Sequence, residues 1–192
     1  MQLTPRRRQK GISLIEVLVS IFVVSMGILA LAGLLNASSR LGKASEMRAT
    51  ATLLANDIAD RMRANPAAFT AVAPSSYDQP ATSYAPTAPS LPGKVESGCL
   101  PMPHCTPAEI AAIDLYEWQQ RVFYTLPGGQ GYAIYTPGDP APAKAYGPRV
   151  DIWVAWTDVQ SAKNGESQAA AQFHECPDGI TQPRCVYLQV AL

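Results

Sequence analysis

The chain has 192 residues, enough for one ordinary domain and an anchoring segment, and its 15 basic and 15 acidic residues give a formal net charge of zero. Four of the basic residues lie within the first ten positions, which leaves 11 basic against 15 acidic residues in the rest of the chain. This balance supplies no basic patch, so no nucleic-acid partner is expected. Hydrophobic residues make up 47% of the chain and concentrate near the N-terminus, which indicates a membrane segment.

The first predicted element is an apolar run from Ile12 to Leu35. Its 24 residues contain one ionisable side chain, Glu16, and as a helix rising about 1.5 Å per residue they span a hydrocarbon core of roughly 30 Å. Four basic side chains precede the run, and the positive-inside rule keeps them in the cytoplasm: Arg6, Arg7, Arg8 and Lys10. We therefore expect a transmembrane helix in contact with lipid, with the rest of the chain on the far, oxidising side of the membrane.

The residues around Gly11 form a processing signal of an unusual kind. A secretory signal has a shorter apolar region with a cleavage site after it, whereas here Gly11 precedes the run and Glu16 follows five residues later. The sequence Gly-Ile-Ser-Leu-Ile-Glu-Val resembles the class III signal of type IV prepilins. The resemblance implies that a prepilin peptidase removes residues 1–11 as a cytoplasmic leader and methylates Ile12, where most family members carry Phe. An uncleaved signal anchor is the alternative.

Glu16 needs a partner inside the membrane. A charged residue within a transmembrane helix costs about 2.5 to 3.5 kcal/mol on insertion scales and is usually paired or functional. Cleavage after Gly11 creates an ammonium group at Ile12, but in a helix that begins at Ile12 the Glu16 side chain is more than one turn from that amine. The pilin resemblance implies pairing between subunits instead, in which Glu16 of an incoming subunit meets the N-terminal amine of one already in the fibre.

Helical periodicity continues beyond the membrane segment. Apolar residues recur at spacings of three and four over residues 36–65, namely at Met47, Ala51, Leu54, Ile58 and Met62. Asn65-Pro66 ends the helix, because the residue before a proline is pushed out of the helical region. We expect the 36–65 segment to be an amphipathic helix that packs against a globular domain.

The next segment, residues 66–107, holds nine of the 17 prolines and no sustained periodicity. It is predicted to be an irregular surface loop. In pilins this position is the αβ-loop, which is exposed on the fibre. A linker without a specific role is the alternative.

Residues 108–192 are predicted to form a short helix and an antiparallel sheet. Thr106-Pro107-Ala108-Glu109 is a helix start, and apolar residues at helical spacing continue to Leu126, where Pro127-Gly128-Gly129 stops the run; a strand over Arg121–Leu126 is the competing interpretation. Three strand candidates follow: Gly131–Thr136, Arg149–Thr157 with Val150, Ile152, Val154 and Trp156 on one face, and a C-terminal run with Val186, Leu188, Val190 and Leu192 on one face. With one face buried against the long helix, these elements predict an α+β class and, by resemblance, the pilin fold.

A second pattern lies between Asp114 and Gly131, with the sequence DLYEWQQRVFYTLPGGQG. It resembles the D-x-x-x-W…LPGG-x-G pattern of PilV-type minor pilins. This pattern is less specific than the N-terminal signal but points to one branch of the superfamily.

Four cysteines, an even number in an oxidising compartment, indicate disulfides with three open connectivities. Pairing within each local segment is the simplest, namely Cys99–Cys105 and Cys176–Cys185, and a C-terminal disulfide loop is also a common pilin feature. A zinc site from these cysteines with His104 and His174 is the alternative, but the spacing fits no compact Cys-x-x-Cys pair. No metal or cofactor is expected.

The function implied by the resemblance is structural. There are two histidines and no G-x-S-x-G, H-E-x-x-H or phosphate-cradling glycine loop, so no catalytic residue is expected. The resemblance implies a minor pilin that helps to prime a type IV pilus near its tip, a fibre used in twitching motility and adhesion. Its implied partners are other minor and major pilins and the inner-membrane assembly platform, and it moves from the inner membrane, with a periplasmic C-terminus, to the pilus. A type II secretion pseudopilin and a signal-anchored periplasmic binding or enzymatic domain are the alternatives.

Overall fold

The computed structural model describes residues 11–69, 74–81, 84–85, 105–138, 147–157, 176–177, 180 and 184–192. The basic leader residues, Cys99, His104 and His174 lie outside these ranges. The chain divides into two compact units, Met1–Lys43 and Ala44–Leu192. The second unit contains the helices and strands of the folded core.

Helix α1 runs without interruption from Leu14 to Ala64 and ends at the predicted Asn65-Pro66 step. Five of its residues are buried in the second unit: Ala51, Ala55, Ile58, Ala59 and Met62. The predicted stripe is confirmed at Ala51, Ile58 and Met62, while Met47 and Leu54 are only partly buried. Ala55 and Ala59 were not predicted to be buried, and their small side chains allow the packed elements to approach α1 closely.

Helix α2, Pro107–Thr125, begins with the predicted capping box. The Thr106 hydroxyl accepts a hydrogen bond from the Glu109 N–H (3.3 Å), and the Glu109 carboxylate accepts one from the Thr106 N–H (2.8 Å). The N–H and the hydroxyl of Thr106 each donate a hydrogen bond to the Glu109 carboxylate (both 2.8 Å), and these two bonds hold the pKa of Glu109 below its usual value. The helix extends to Thr125, so the prediction of a helix rather than a strand over Arg121–Leu126 is confirmed.

Three strands form one antiparallel sheet in the order β1-β2-β3: β1 is Gln130–Thr136, β2 is Arg149–Trp156 and β3 is Arg184–Ala191. In the register, Ala133 faces Ile152, which faces Leu188. The predicted buried side chains of β2 all join the core with α1 and α2: Val150, Ile152, Val154 and Trp156. The predicted α+β class is confirmed, and the arrangement is consistent with the pilin fold.

Two details of the sheet differ from the sequence-based expectation. Leu192 was expected on the buried face, but it lies beyond the end of β3 and is 37% exposed. The opposite face of the sheet, for which the strand pattern predicts no covering segment, buries Tyr132 and Ala155 in a second apolar cluster with Ile180 and Cys185. Chain segments distant in sequence cover that face, and strand alternation alone does not reveal them.

Part of the 66–107 segment also belongs to the core, although it was predicted to be a surface loop. Tyr77 is fully buried, and its ring stacks on Phe69 with centroids 5.3 Å apart. Its hydroxyl donates a hydrogen bond to the Asp114 carboxylate (2.7 Å) and accepts one from the Asn65 amide (3.2 Å). The loop therefore joins the end of α1 to the first half of α2.

The D-x-x-x-W pattern places two side chains of α2 on the face that meets α1. The Trp118 indole N–H donates to the Leu54 carbonyl (2.8 Å), and one turn earlier Asp114 accepts a hydrogen bond from Arg61 (2.9 Å). Burial by itself lowers the pKa of Arg61. The hydrogen bonds of Arg61 with Glu117 and Asp114 outweigh that effect, so the pKa of Arg61 is raised above its usual value. The D-x-x-x-W pattern thus reflects the packing of α2 against α1.

The LPGG-x-G pattern has an equally local cause. Gly128 adopts a positive φ of 60°, a conformation that favours glycine. A Cβ on Gly129 would lie 2.2 Å from the Val122 carbonyl oxygen, and one on Gly131 would lie 2.3 Å from the Trp118 ring. The glycines therefore permit the tight connection from α2 to β1 and the seating of Trp118 on β1.

We predict that Gly131→Ala destabilises the folded domain by about 1 to 3 kcal/mol, because the added methyl group overpacks a fully buried indole. Gly147→Ala is the matched control, since a Cβ there meets nothing within 4 Å. Chemical unfolding of the full chain in detergent measures both. Equal stability of the two variants would contradict this account of the pattern.

We also predict that unfolding becomes easier between pH 10 and 12. Burial raises the pKa of Tyr132 to about 12, whereas in the unfolded chain it is about 10. The contribution of the protonated Tyr132 hydroxyl to the free energy of unfolding is complete below pH 10. It is lost as the pH rises through 12, because Tyr132 loses its proton first in the unfolded state. Tyr132→Phe should lower the pH dependence of the unfolding free energy by up to about 1.4 kcal/mol per pH unit. Tyr124→Phe, at an exposed position, controls for the loss of one tyrosine.

Candidate functional site

The candidate site is the N-terminal segment from Gly11 through the apolar half of α1. Gly11, Ile12 and Ser13 precede the helix, which begins at Leu14. The Ser13 carbonyl accepts hydrogen bonds from the N–H groups of Glu16 (3.1 Å) and Val17 (3.3 Å), so the first turn forms on Ser13. Glu16 is therefore the third residue of the helix and lies in its first turn, so the expectation of a helix that begins at Ile12 is wrong.

This position partly explains why a carboxylate is tolerated there. Ser13-x-x-Glu16 has the spacing of a capping box, a local signal that predicts a helix start at this position. A carboxylate in the first turn interacts favourably with the helix dipole by about 0.3 to 1 kcal/mol. Placing a charge in the membrane costs about 2.5 to 3.5 kcal/mol. The helix end offsets only a fraction of that cost.

The apolar half of α1 has no core to pack against in its own unit. Every residue from Gly11 to Glu46 is exposed. The segment is long and apolar enough to cross a membrane, and none of it is buried. Two of its hydroxyl groups are satisfied within the helix: Ser20 donates to the Glu16 carbonyl and Ser25 donates to the Ile21 carbonyl, both at 2.7 Å. This is the pattern that a lipid-facing helix requires.

The predicted cleavage position lies in non-helical backbone. A Cβ placed on Gly11 would have no atom within 4 Å, and Ile12 is largely exposed. A peptide bond of this kind is accessible to an enzyme without unwinding α1. The geometry around Gly11 and Ile12 thus suits proteolytic processing.

The predicted cysteine positions lie in the second unit. Cys176 and Cys185 form a disulfide with their Cα atoms 5.1 Å apart, and it joins the second apolar cluster beside β3. Cys105 is also disulfide-bonded, and its predicted partner Cys99 lies outside the described residues. In the described ranges, no group of three His, Cys, Asp or Glu side chains could hold a metal ion.

One shallow groove of about 380 Å³ lies along α2 and is lined by Glu117, Gln120, Arg121, Tyr124 and Thr125. Its charged groups pair with α1: Arg121 contacts Asp57 at 3.1 Å, and Glu117 contacts Arg61 at 3.0 Å. These pairs fix α2 on α1. They form no arrangement of nucleophile and base.

Comparison with known families identifies the N-terminal segment. Residues 6–32 match the family model described as the prokaryotic N-terminal methylation motif. No curated protein and no solved structure matches the chain. The matched range contains Gly11, Ile12 and Glu16 and most of the apolar run. The motif supports a membrane-anchored protein that is similar to type IV pilins or pseudopilins. Proteins of these two kinds are structural subunits.

We predict that Val24→Arg with Ile28→Arg releases the chain from alkaline-extracted membranes, because each arginine adds about 2.5 to 3.5 kcal/mol to the cost of insertion. The matched control is Ala49→Arg with Leu53→Arg, at the same spacing on exposed positions of the same helix but beyond the apolar run. The control should remain in the membrane fraction. Retention of the first variant would contradict a membrane-spanning role for the segment.

Proposed function

We propose that this protein is a minor pilin of a type IV pilus, which helps to prime fibre assembly together with other minor pilins and lies near the fibre tip. The observation that carries the proposal is the methylation motif over residues 6–32, joined to a continuous, exposed apolar helix with Glu16 in its first turn. A structural subunit uses such a helix first as an anchor and then as the core of a fibre.

Processing at Gly11 is the first step of this function. A prepilin peptidase cuts the exposed bond between Gly11 and Ile12, and the new amine of Ile12 is methylated. Cleavage also removes the four basic residues that hold the N-terminus in the cytoplasm. Drawing each of them through the bilayer would cost about 2.5 to 3.5 kcal/mol, so the shortened chain leaves the membrane more easily.

Pairing of Glu16 is the second step. In the fibre, its carboxylate binds the N-terminal amine of a neighbouring subunit, which supplies the cation that the helix dipole alone does not replace. The carboxylate and the amine attract one another most strongly when they are in direct contact, so the pair favours one axial position of a subunit against the next. The incoming subunit is taken from the inner-membrane assembly platform.

The PilV-type assignment is supported by the D-x-x-x-W…LPGG-x-G pattern. In this chain the residues of the pattern let Trp118 pack between α1 and β1, so the pattern reflects how the headgroup is packed. A type II secretion pseudopilin shares the signal and the helix and is the alternative. Deleting the gene separates the two, since loss of surface pili supports the minor pilin and loss of secretion with intact pili supports the pseudopilin.

We predict that Glu16→Gln leaves membrane insertion, cleavage and folding intact but strongly reduces incorporation into the fibre. Removing the charge eases residence in lipid while it abolishes the pairing with the neighbouring amine. Mass spectrometry of the membrane form checks loss of residues 1–11, and sheared pili are scored separately for the variant. Glu46→Gln, an exposed position further along the same helix, is the matched control.

Normal incorporation of Glu16→Gln would contradict the pairing. Degradation before processing would also contradict it, because that result assigns the carboxylate to the stability of the single chain. An uncut leader in piliated cells would restore the signal-anchor interpretation.

A further inference from the structure

Two basic residues lie just beyond the apolar run of α1. The run ends at Leu35, and Arg40 and Lys43 follow it in the same uninterrupted helix. At about 1.5 Å per residue, their Cα atoms lie about 8 and 12 Å past Leu35 along the helix axis. Each headgroup layer of a bilayer is roughly 5 to 8 Å thick, because the total thickness of about 40 to 45 Å exceeds a hydrocarbon core of about 30 Å. Both residues therefore begin close to the outer limit of the headgroup layer, and a tilted helix brings them closer still.

The direction of helical side chains returns both charges toward the membrane. In an α-helix the Cα–Cβ bonds tilt toward the N-terminus, and long side chains lie over the preceding turn. Toward the N-terminus of α1 lies the apolar run, so the side chains of Arg40 and Lys43 extend toward the lipid. Lysine and arginine near the end of a membrane helix place their charges at the interface in this way.

Short side chains leave room for the two long ones. Because residues three positions apart are neighbours on a helix surface, Arg40 and Lys43 lie side by side. Asn36 and Ser39 lie four positions before them, in the turn that the long side chains cover. Both are uncharged and exposed, and both can donate a hydrogen bond. This face of α1 thus presents two cations and two neutral donors to an anion.

The helix itself supplies these cations with few carboxylates. No Asp or Glu occurs in residues 17–45, so Arg40 has no carboxylate within one turn of α1 and Lys43 has only Glu46. By contrast, Arg61 is held between carboxylates of α1 and α2. At the depth of Arg40 and Lys43, the bilayer supplies phosphate groups in place of carboxylates.

We propose that Arg40 and Lys43 bind the anionic headgroup of a phospholipid in the leaflet at the C-terminal end of the span. The lipid phosphate accepts hydrogen bonds from the guanidinium and the ammonium groups, and Asn36 and Ser39 donate to oxygens of the same headgroup. A lipid with a net negative charge, such as phosphatidylglycerol, is preferred over a zwitterionic one, whose phosphate is already neutralised by its own cation. Depth identifies this occupant, because the apolar run holds this part of α1 in the layer that contains the lipid phosphates. Headgroup binding requires the membrane anchor and is independent of whether the chain enters a fibre.

The first test measures the lipid preference of the full chain in nanodiscs with equal amounts of phosphatidylglycerol and phosphatidylcholine. Native mass spectrometry counts the molecules of each lipid that remain bound to the released chain. A basic residue near an anionic membrane surface contributes about a fivefold factor in affinity, so Arg40→Gln with Lys43→Gln should lower the ratio of bound phosphatidylglycerol to phosphatidylcholine at least about fivefold. Arg40→Lys with Lys43→Arg keeps both charges and should keep the ratio within about twofold.

A matched control restores the net charge at another depth. It adds Ala49→Arg and Leu53→Lys to the neutralised variant, at exposed positions farther along α1. At about 1.5 Å per residue this displacement exceeds the Debye length of about 8 Å in 0.15 M salt, so the lipid ratio should stay low. Circular dichroism and alkaline extraction verify that each variant folds and stays in the membrane.

The second test distinguishes a lipid headgroup from a free phosphate and uses the unaltered chain. The chain is held in dodecyl maltoside, a detergent without phosphate, and the NMR signals of its ¹⁵N-labelled arginines are followed, with Arg40→Lys to assign the Arg40 signals. Short-chain phosphatidylglycerol should shift the Arg40 signals saturably, whereas glycerol phosphate should not shift them up to about 10 mM.

Three results would overturn the proposal. One is an equal lipid ratio for the original and the neutralised chain, which is what a role confined to ending the span would give. Another is recovery of the ratio in the control with displaced charges, because net charge alone would then explain the preference. The third is a saturable shift of the Arg40 signals by glycerol phosphate, because the site would then bind a soluble anion.

Discussion

The folded unit depends on the seating of one side chain, Trp118. Its indole N–H binds the Leu54 carbonyl of α1, and its ring packs directly on Gly131 at the start of β1. One fully buried residue of α2 thus contacts both α1 and β1. A ring of this size contributes a large apolar area, and its single polar atom is satisfied. Gly131 has no side chain and so leaves room for this ring at the start of β1.

Polar groups inside the unit follow the rule that burial requires hydrogen-bond partners. Gln119 and Gln130 are fully buried, and each binds backbone groups of another segment: Gln119 binds Gly131, and Gln130 binds Ala85. Asp114 likewise joins Arg61 of α1 to Tyr77 of the proline-rich segment. These bonds connect elements that are distant in sequence and close the β1 edge of the sheet.

The side chains of the two halves of α1 suit different environments. From Leu14 to Leu35 the side chains are apolar and exposed, an arrangement that is stable only in lipid or against other helices. From Ala51 to Met62 the buried residues are mostly small and occupy one face, which suits packing against a sheet. Glu16 is the one ionisable side chain in the first half, and a carboxylate that the helix end stabilises only partly is available to bind a cation supplied from elsewhere.

Local signals in the sequence determined the apolar span, the end of α1 at Asn65, the capping box at Thr106 and the alternation of β2. Each of these depends on residues within one or two turns or on strand periodicity, so no knowledge of distant contacts was needed. The first turn of α1 was also encoded locally, in Ser13-x-x-Glu16, but the start at Leu14 was not recognised. Tertiary structure alone decided that Tyr77 is buried, that Leu192 is exposed and that Gln119 caps Gly131. These features arise from contacts between segments many residues apart, and the sequence pattern of a strand is the same whether or not another segment lies along its edge.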